Sequence, residues 1–362
     1  MRIGIIGTRG IPNYYGGFEE CAQQLAVRLV GKGHKVWVYN SHLHPYSQKS
    51  FEGVEIIHKY DPEHKVGTFG QFVYDLNCII DSRWRRFDII LMLGYTSSSI
   101  WQRFLPSKPV VITNMDGMEW RRSKYSPKVQ QFLRRAEKWA AKGSSLLIAD
   151  SKVIEEHLNR LYKTQIIHIA YGAQKFKNPD EEVLQKFGVE PYSYNLVIAR
   201  LEPENNIELV LAGIQKSQSQ RVTLVVGNHE TEYGQYLKNT YRDSRIRFIK
   251  GIYNKLHITN LRYYCHVFFH GHSVGGTNPS LLEAMACSSM ICAHDNPFNR
   301  EVLGDNATYF LDLNDIANAA DLMERNSIQK EKIKANLQKI KDTYNWDLVT
   351  DQYELVFQQA LI

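Results

Sequence analysis

The run His270-Gly271-His272-Ser273-Val274-Gly275-Gly276-Thr277-Asn278-Pro279-Ser280-Leu281-Leu282-Glu283-Ala284-Met285 has the order of residue types that an anion-binding turn requires. Gly275 and Gly276 let backbone approach a ligand closely, Asn278 is a good N-cap and Pro279 a good first helical residue. Free N–H groups at such a helix start, with Thr277 beside them, suit a phosphate. Glu283 falls about one turn into the helix, where a carboxylate accepts two hydrogen bonds from neighbouring hydroxyls such as those of a ribose. An ordinary strand-to-helix loop with a surface glutamate has the same pattern.

A second segment places Arg200 after the apolar run Asn195 to Ala199 and before the polar stretch Leu201 to Glu208, which includes Asn205. Ligands of open α/β sheets bind beyond the carboxyl ends of the strands. An arginine there holds a diphosphate bidentately and offsets charge on a leaving group; a plain surface arginine fits the segment equally well.

In the first half, Gly7, Gly10, Gly16 and Gly17 make a loop able to approach a ligand, but the spacing is not Gly-x-Gly-x-x-Gly. The second strand ends at Val38-Tyr39-Asn40 without the acidic residue that holds a dinucleotide ribose. Asp116, in Asn114-Met115-Asp116-Gly117, precedes a glycine in the way a turn residue does. His270 and His272 have no third ligand at a recognisable spacing and no Asp-x-Asp occurs, so no metal and no cofactor are expected.

The elements that must position these residues are legible from hydrophobic periodicity. Short apolar runs at Arg2 to Ile6, Lys35 to Tyr39, Phe87 to Leu93, Pro109 to Thr113 and Ser145 to Ala149 alternate with helical stretches. That alternation predicts a parallel sheet covered on both faces. The pattern restarts after about residue 175: a helix-like segment is expected from Lys177, then strands at Asn195 to Ala199, Arg221 to Val226, Ile246 to Ile249, His266 to His270 and Met290 to Ala293. The 362 residues suit two such domains, and 43% hydrophobic with 23% charged residues describes packed cores and no disordered tract. From Trp346 to Leu361, Leu348, Tyr353, Val356 and Phe357 fall on roughly one face of an amphipathic helix.

The five cysteines show no Cys-x-x-Cys spacing, which points to a reducing compartment. An apolar strand beginning at Arg2 leaves no room for a signal peptide, and no apolar run reaches membrane-spanning length, so a cytoplasmic protein is expected. Basic residues cluster from Met118 to Gly143, where Arg121, Arg122, Lys124, Lys128, Arg134, Arg135, Lys138 and Lys142 face only Glu119 and Glu137. That stretch reads either as a solvated helix face or as a peripheral contact with an anionic membrane surface. Nucleic acid is not expected, because no base-reading motif accompanies the charge.

Together, Arg200 to Asn206 and Gly275 to Glu283 resemble the retaining family-four glycosyltransferases of the two-Rossmann-domain (GT-B) architecture, and more closely their rhamnosyltransferase-like branch. The resemblance spans nearly the whole chain, including Gly7 to Gly17, Asp150-Ser151-Lys152, Tyr171-Gly172-Ala173 and Asn345-Trp346-Asp347. It implies an α/β fold of two doubly wound Rossmann-like domains facing a cleft: an acceptor-side domain at 1–175, a nucleotide-sugar domain at 176–342, and a last helix, 343–362, returning to the first domain. It also implies Arg200 and Asp116 as catalytic residues. Gly16, Gly17, Asn205, Gly275, Gly276, Thr277, Asn278 and Glu283 would then meet the donor.

Two positions depart from the family pattern. Asn205 stands where a lysine usually pairs with the arginine on the diphosphate, and Gly275 stands where the first of two glutamates usually touches the transferred sugar. The departures and the closer resemblance imply a deoxysugar donor, dTDP-rhamnose, and a glycan acceptor, lipid-linked if the protein works at a membrane in cell-surface polysaccharide synthesis. A nucleotide-sugar epimerase and a non-catalytic nucleotide-sugar-binding protein are the competing readings.

Overall fold

Arg2–Ile6 is a continuous apolar run cut short by Gly7, and it forms the first strand, β1. In a computed structural model describing all 362 residues, β1 is joined by β2 (Lys35–Ser41), β3 (Ser50–Phe51), β4 (Val54–Lys59), β5 (Ile89–Leu93), β6 (Val110–Asn114), β7 (Leu146–Ala149) and β8 (Gln165–His168). Their order is β3-β4-β2-β1-β5-β6-β7-β8, parallel throughout except for the edge strand β3. Crossover helices cover both faces, which is why the central strands are almost wholly buried.

The chain divides into two compact units, the first comprising 1–121, 125–171 and 346–362, the second 122–124 and 172–345. Both are Rossmann-like α/β domains. In the second, β9 (Tyr194–Ile198), β10 (Val222–Val226), β11 (Ile246–Ile249), β12 (Phe268–His270), β13 (Ile291–His294) and β14 (Thr308–Phe310) run parallel in the order β11-β10-β9-β12-β13-β14. Each sheet has one point where the winding reverses, between β1 and β5 in the first unit and between β9 and β12 in the second. Loops leaving neighbouring strands diverge there and open a crevice.

The last helix, Trp346–Gln359, belongs to the first unit and completes its core. Trp346, Val349, Tyr353, Val356 and Phe357 pack with Ile3, Leu25, Leu29 and Ile148. The hydroxyl of Tyr353 accepts from Asn114 Nδ2 at 2.9 Å. Leu348, expected on that inner face, is 39% exposed; Val349, one position on, takes its place.

Other expectations differ in detail. Lys177 to Pro179 is irregular, since Pro179 follows Asn178 at φ 59°, and the helical turn begins only at Glu181, capped by Asp180. Strands β3, β4, β8 and β14 were missed, being short, peripheral and interrupted by polar residues such as Glu55 and His58. Residues 343–345 fall in the second unit, where Ala173 bridges Asn345. Residues 122–124 also group there, although they lie mid-sequence in the first half.

Candidate functional site

In the second unit the two segments singled out in the sequence leave the adjacent strands β9 and β12 and are laced together. Asn206, at φ 51°, donates from Nδ2 to the carbonyl of Gly271 at 2.8 Å, and Ser273 Oγ donates to the carbonyl of Glu204 at 2.7 Å. A Cβ on Gly271 would stand 2.1 Å from the carbonyl oxygen of Asn205, so only glycine permits this approach.

Arg200 is exposed on this crevice. Asn205, 2% exposed, donates from Nδ2 to the Arg200 carbonyl at 2.7 Å, while its Oδ1 has no partner. The amide thus fixes the turn that carries Arg200 and offers no charge of its own.

The helix Pro279–Ala286 follows the glycine loop, with Asn278 as its N-cap. Its first N–H groups are not free, in contrast to the sequence expectation. Pro279 has none, Ser280 gives its own to Asn278 Oδ1 at 2.9 Å, and Leu281 and Leu282 give theirs to the Asn278 carbonyl. Donors for an anion must therefore come from the loop before the helix, where Gly276 and Thr277 are buried and Gly275 lies at φ 139°. A Cβ on Gly275 would meet nothing within 4 Å, so that position faces open space.

Glu283 is half exposed, and Arg262 Nη2 reaches its carboxylate at 2.7 Å. Arg262 sits in the helix Lys255–Tyr264, is 2% exposed, also donates to Ser280 Oγ at 3.2 Å, and keeps its Nε without a partner. No local pattern in the sequence marks it.

Beneath the loop, the rings of His270 and His272 stack with centroids 4.5 Å apart. Burial, reinforced by Arg200 and Arg122, pushes the His272 imidazole down to about 3, and burial with His272 holds His270 far below the usual histidine range. Both rings are neutral, and His272 Nδ1 has no partner. Arg122 approaches the buried Glu204 at 3.6 Å and Lys124 pairs with Glu202 at 3.3 Å. Nowhere do three His, Cys, Asp or Glu side chains come together as a cation site.

The first unit carries a pocket of about 250 Å³ at its own reversal point. Its wall is built by the loop after β1 (Gly7 to Arg9), the helix start at Gly17 to Glu19, and the loop after β5 (Gly94 to Ser98), with Asp116 and Glu119 beyond β6. Gly7, at φ 101°, lies against the Leu93 carbonyl, where a Cβ would be 2.3 Å from the oxygen. Asn40 clamps the glycine loop, accepting from Ile11 N at 3.0 Å and donating to the Ile11 carbonyl at 2.7 Å. That contact explains the amide at the end of the second strand.

Gly16 is exposed and extended, and Gly17 starts the helix Gly17–Gly31, its carbonyl accepting from Tyr171 Oη at 2.7 Å. Asp116, at φ 50°, has its N–H on Asn114 Oδ1 at 3.0 Å. The following turn is held by Trp120, whose indole donates to the buried Glu137 at 2.9 Å.

Residues 180–340 match the family model described as glycosyl transferases group 1. The second unit is a group 1 glycosyltransferase domain. Its crevice at Arg200 and Gly275 to Glu283 lies within the matched span. Residues 1–174 match a model described as a domain of unknown function, DUF1972. No curated protein matches the chain in sequence.

Solved GT-B glycosyltransferases share the fold of the whole chain. Sucrose-phosphate synthase from Thermosynechococcus elongatus superimposes with a TM-score of 0.81 at 17% identity, covering 99% of this chain and 98% of that one. Anabaena HepE in complex with UDP and glucose gives 0.77 at 15% identity, with 99% of each chain covered. A UDP-forming trehalose-phosphate synthase from Burkholderia xenovorans, in complex with glucose-6-phosphate, gives 0.73 at 10% identity, covering 99% of this chain and all of the other, 100%. The glycosyltransferase domain and its partner are therefore arranged in sequence as in the GT-B fold, and no helix is long and apolar enough to cross a membrane.

Proposed function

We propose that the protein is a retaining glycosyltransferase that moves rhamnose from dTDP-rhamnose to a hydroxyl of a glycan in cell-surface polysaccharide synthesis. The observation that carries this reading is the pairing of Glu283 with open space at Gly275. The carboxylate suited to a ribose is present and oriented by Arg262, whereas the position that would hold a hydroxyl-binding carboxylate is a glycine with nothing within 4 Å. A 6-deoxy ring, with fewer polar groups to satisfy, is served by such a site better than a glucose-like ring is.

In the reaction the bond from the anomeric carbon to the diphosphate oxygen breaks and a bond from that carbon to the acceptor oxygen forms. The acceptor's proton leaves with the diphosphate. Arg200 and the loop N–H groups around Gly276 offset the charge that builds on the departing diphosphate, and Asp116 orients the acceptor hydroxyl. The enzyme works in the cytoplasm at the inner face of the membrane, on a lipid-linked acceptor, and needs neither metal nor cofactor.

The test is a donor screen by thermal shift with dTDP-rhamnose, UDP-glucose and GDP-mannose, followed by transfer assays with and without acceptor. Stabilisation and acceptor-dependent turnover with dTDP-rhamnose are expected. Turnover without acceptor would mean an epimerase, and binding without turnover a donor-binding protein, to which the neutral Asn205 would be suited.

A further inference from the structure

The pocket of the first unit has a chemistry of its own. Five carboxylates line it, those of Glu19, Asp61, Asp75, Asp116 and Glu119, against a single cation, Arg9. That cation is already neutralised: its guanidinium donates twice to Glu63, at 2.7 and 3.1 Å. Glu19 accepts from the Arg9 N–H at 2.9 Å, and Asp61 from the Glu63 N–H at 2.9 Å, so both carboxylates are fixed in place by backbone.

An independent observation marks the pocket as built for a hydroxylated ligand. Thr8 lines it, is 3% exposed, and its Oγ1 has no partner. A buried hydroxyl left unmade costs stability, and such groups mark sites completed by something else. Thr96, Ser97 and Ser98 add hydroxyls to the same wall, with Phe18 and Tyr95 as flat apolar surfaces. Carboxylates, hydroxyls and a few rings around a small concavity are the complement of a pyranose, whose faces are apolar and whose rim is hydroxyl.

The geometry points to this pocket as the seat of an electrically neutral acceptor pyranose, with Thr8 and Asp75 hydrogen-bonding its hydroxyls and the carboxylate ring rejecting uronates and sugar phosphates. The inference rests on the glycosyltransferase reading and specifies its acceptor class. Rejection follows because an anionic substituent would enter a space whose only guanidinium is committed elsewhere. Asp75 is suited to hydroxyls for a further reason. It is 4% exposed, accepts from Ser97 Oγ at 2.6 Å, and burial, opposed by that hydrogen bond and aided by Asp61, raises its carboxyl to about 7. Near neutrality it both donates and accepts.

Saturation-transfer NMR and calorimetry on the full chain would test this with methyl β-D-glucopyranoside, methyl β-D-glucuronide and glucose 6-phosphate. The neutral glycoside is expected to bind about tenfold or more tightly than either anion, a difference of about 1.4 kcal/mol or more. Thr8→Val and Asp75→Asn should each weaken it severalfold without changing the affinity for dTDP or UDP, which reads the second unit alone. Equal or tighter binding of the anionic probes would overturn the inference, as would neutral binding indifferent to both variants, or no binding of the neutral probe. Absence of nucleotide binding in the wild type, with the neutral glycoside still bound, would instead overturn the donor reading, and with it the acceptor role of a pocket that binds neutral pyranose.

Discussion

The guanidinium of Arg262, 2% exposed, holds the Glu283 carboxylate at 2.7 Å on the first turns of the helix Pro279–Ala286. One partner is buried and the other half in solvent, so the pair aims a carboxylate outward from a charge that water cannot reach. Its orientation is thereby independent of ligand. Preorganisation of this kind lowers the cost of ordering a side chain on binding.

Glu283→Ala should therefore do two things at once. Removing the carboxylate weakens nucleoside diphosphate binding and leaves Arg262 as an uncompensated buried cation, costing about 1–3 kcal/mol of stability given the half-exposed partner. Arg262→Lys keeps the charge but loses the planar fork, and should raise the donor KM by about tenfold with a smaller effect on kcat. Calorimetric titration with dTDP beside thermal melts separates the effects; lower stability with unchanged dTDP affinity would reduce Glu283 to a structural counter-ion.

Arg200→Ala should abolish turnover without unfolding the protein. The side chain is exposed, and the turn beneath it is held by Asn205 through the Arg200 carbonyl, which the substitution leaves intact. Loss of one such donor to a leaving group is worth about 10²–10³ in kcat. Turnover near the wild-type rate in a variant with an unchanged melt would contradict the assignment.

Asp75 makes stability depend on pH in a defined direction. Burial raises its carboxyl to about 7, above the ordinary aspartate range, so the native state holds the proton more tightly than the unfolded chain does. Stability contributed by the group is full below about pH 4 and is lost as pH rises through about 7, with a ceiling of about 4 kcal/mol. Asp75→Asn keeps an acceptor for Ser97 and should raise the melting temperature at pH 8 while changing little at pH 4. Equal effects at both pH values would show that Asp75 does not titrate in this window.

Phe357 is wholly buried in the core that the last helix completes. Phe357→Ala should cost about 3–5 kcal/mol. Because the loss falls on the first unit, denaturation followed by tryptophan fluorescence should show it unfolding at lower urea while nucleotide still binds. Coincident loss of both would mean that the units unfold together.

How far the sequence reaches can be judged from these residues. The strand, glycine loop and helix at Phe268 to Ala286 were legible because their signals are local: an apolar run, two glycines, an Asn-Pro cap. Arg262 was not, since a lone arginine inside the helix Lys255–Tyr264 acquires meaning only when that helix packs beside the helix Pro279–Ala286. The carboxylate pocket was hidden for the same reason, its residues coming from six stretches between Gly7 and Glu119 that meet only at the reversal between β1 and β5. Leu348 was misplaced by a one-residue error in helical phase, which Val349 corrects.

The basic stretch near residue 130 is narrower in space than in sequence. Arg122 and Lys124 are committed to Glu204 and Glu202, whereas Arg121, Lys128, Arg134, Arg135, Lys138 and Lys142 are exposed. The helix Pro127–Gly143 buries Leu133, Ala136, Glu137, Ala140 and Ala141 and turns its basic side outward. A line of ring contacts runs beside it, from Phe69, 64% exposed, through Phe72 and Phe132 to Trp139. An exposed Phe69 and partly buried rings next to outward cations suit the interface of an anionic bilayer, where each cation adds about 1 kcal/mol at most. Arg134 also lies over Trp120 at 4.6 Å, so Arg135, Lys138 and Lys142 are the cleaner positions to neutralise. Replacing these three by Gln should reduce binding to phosphatidylglycerol vesicles by about tenfold or more in low salt and leave dTDP affinity unchanged, and wild-type binding should weaken steeply as salt is raised. Equal wild-type binding to phosphatidylcholine and phosphatidylglycerol vesicles, or binding to neither, would show that the helix presents only a solvated face.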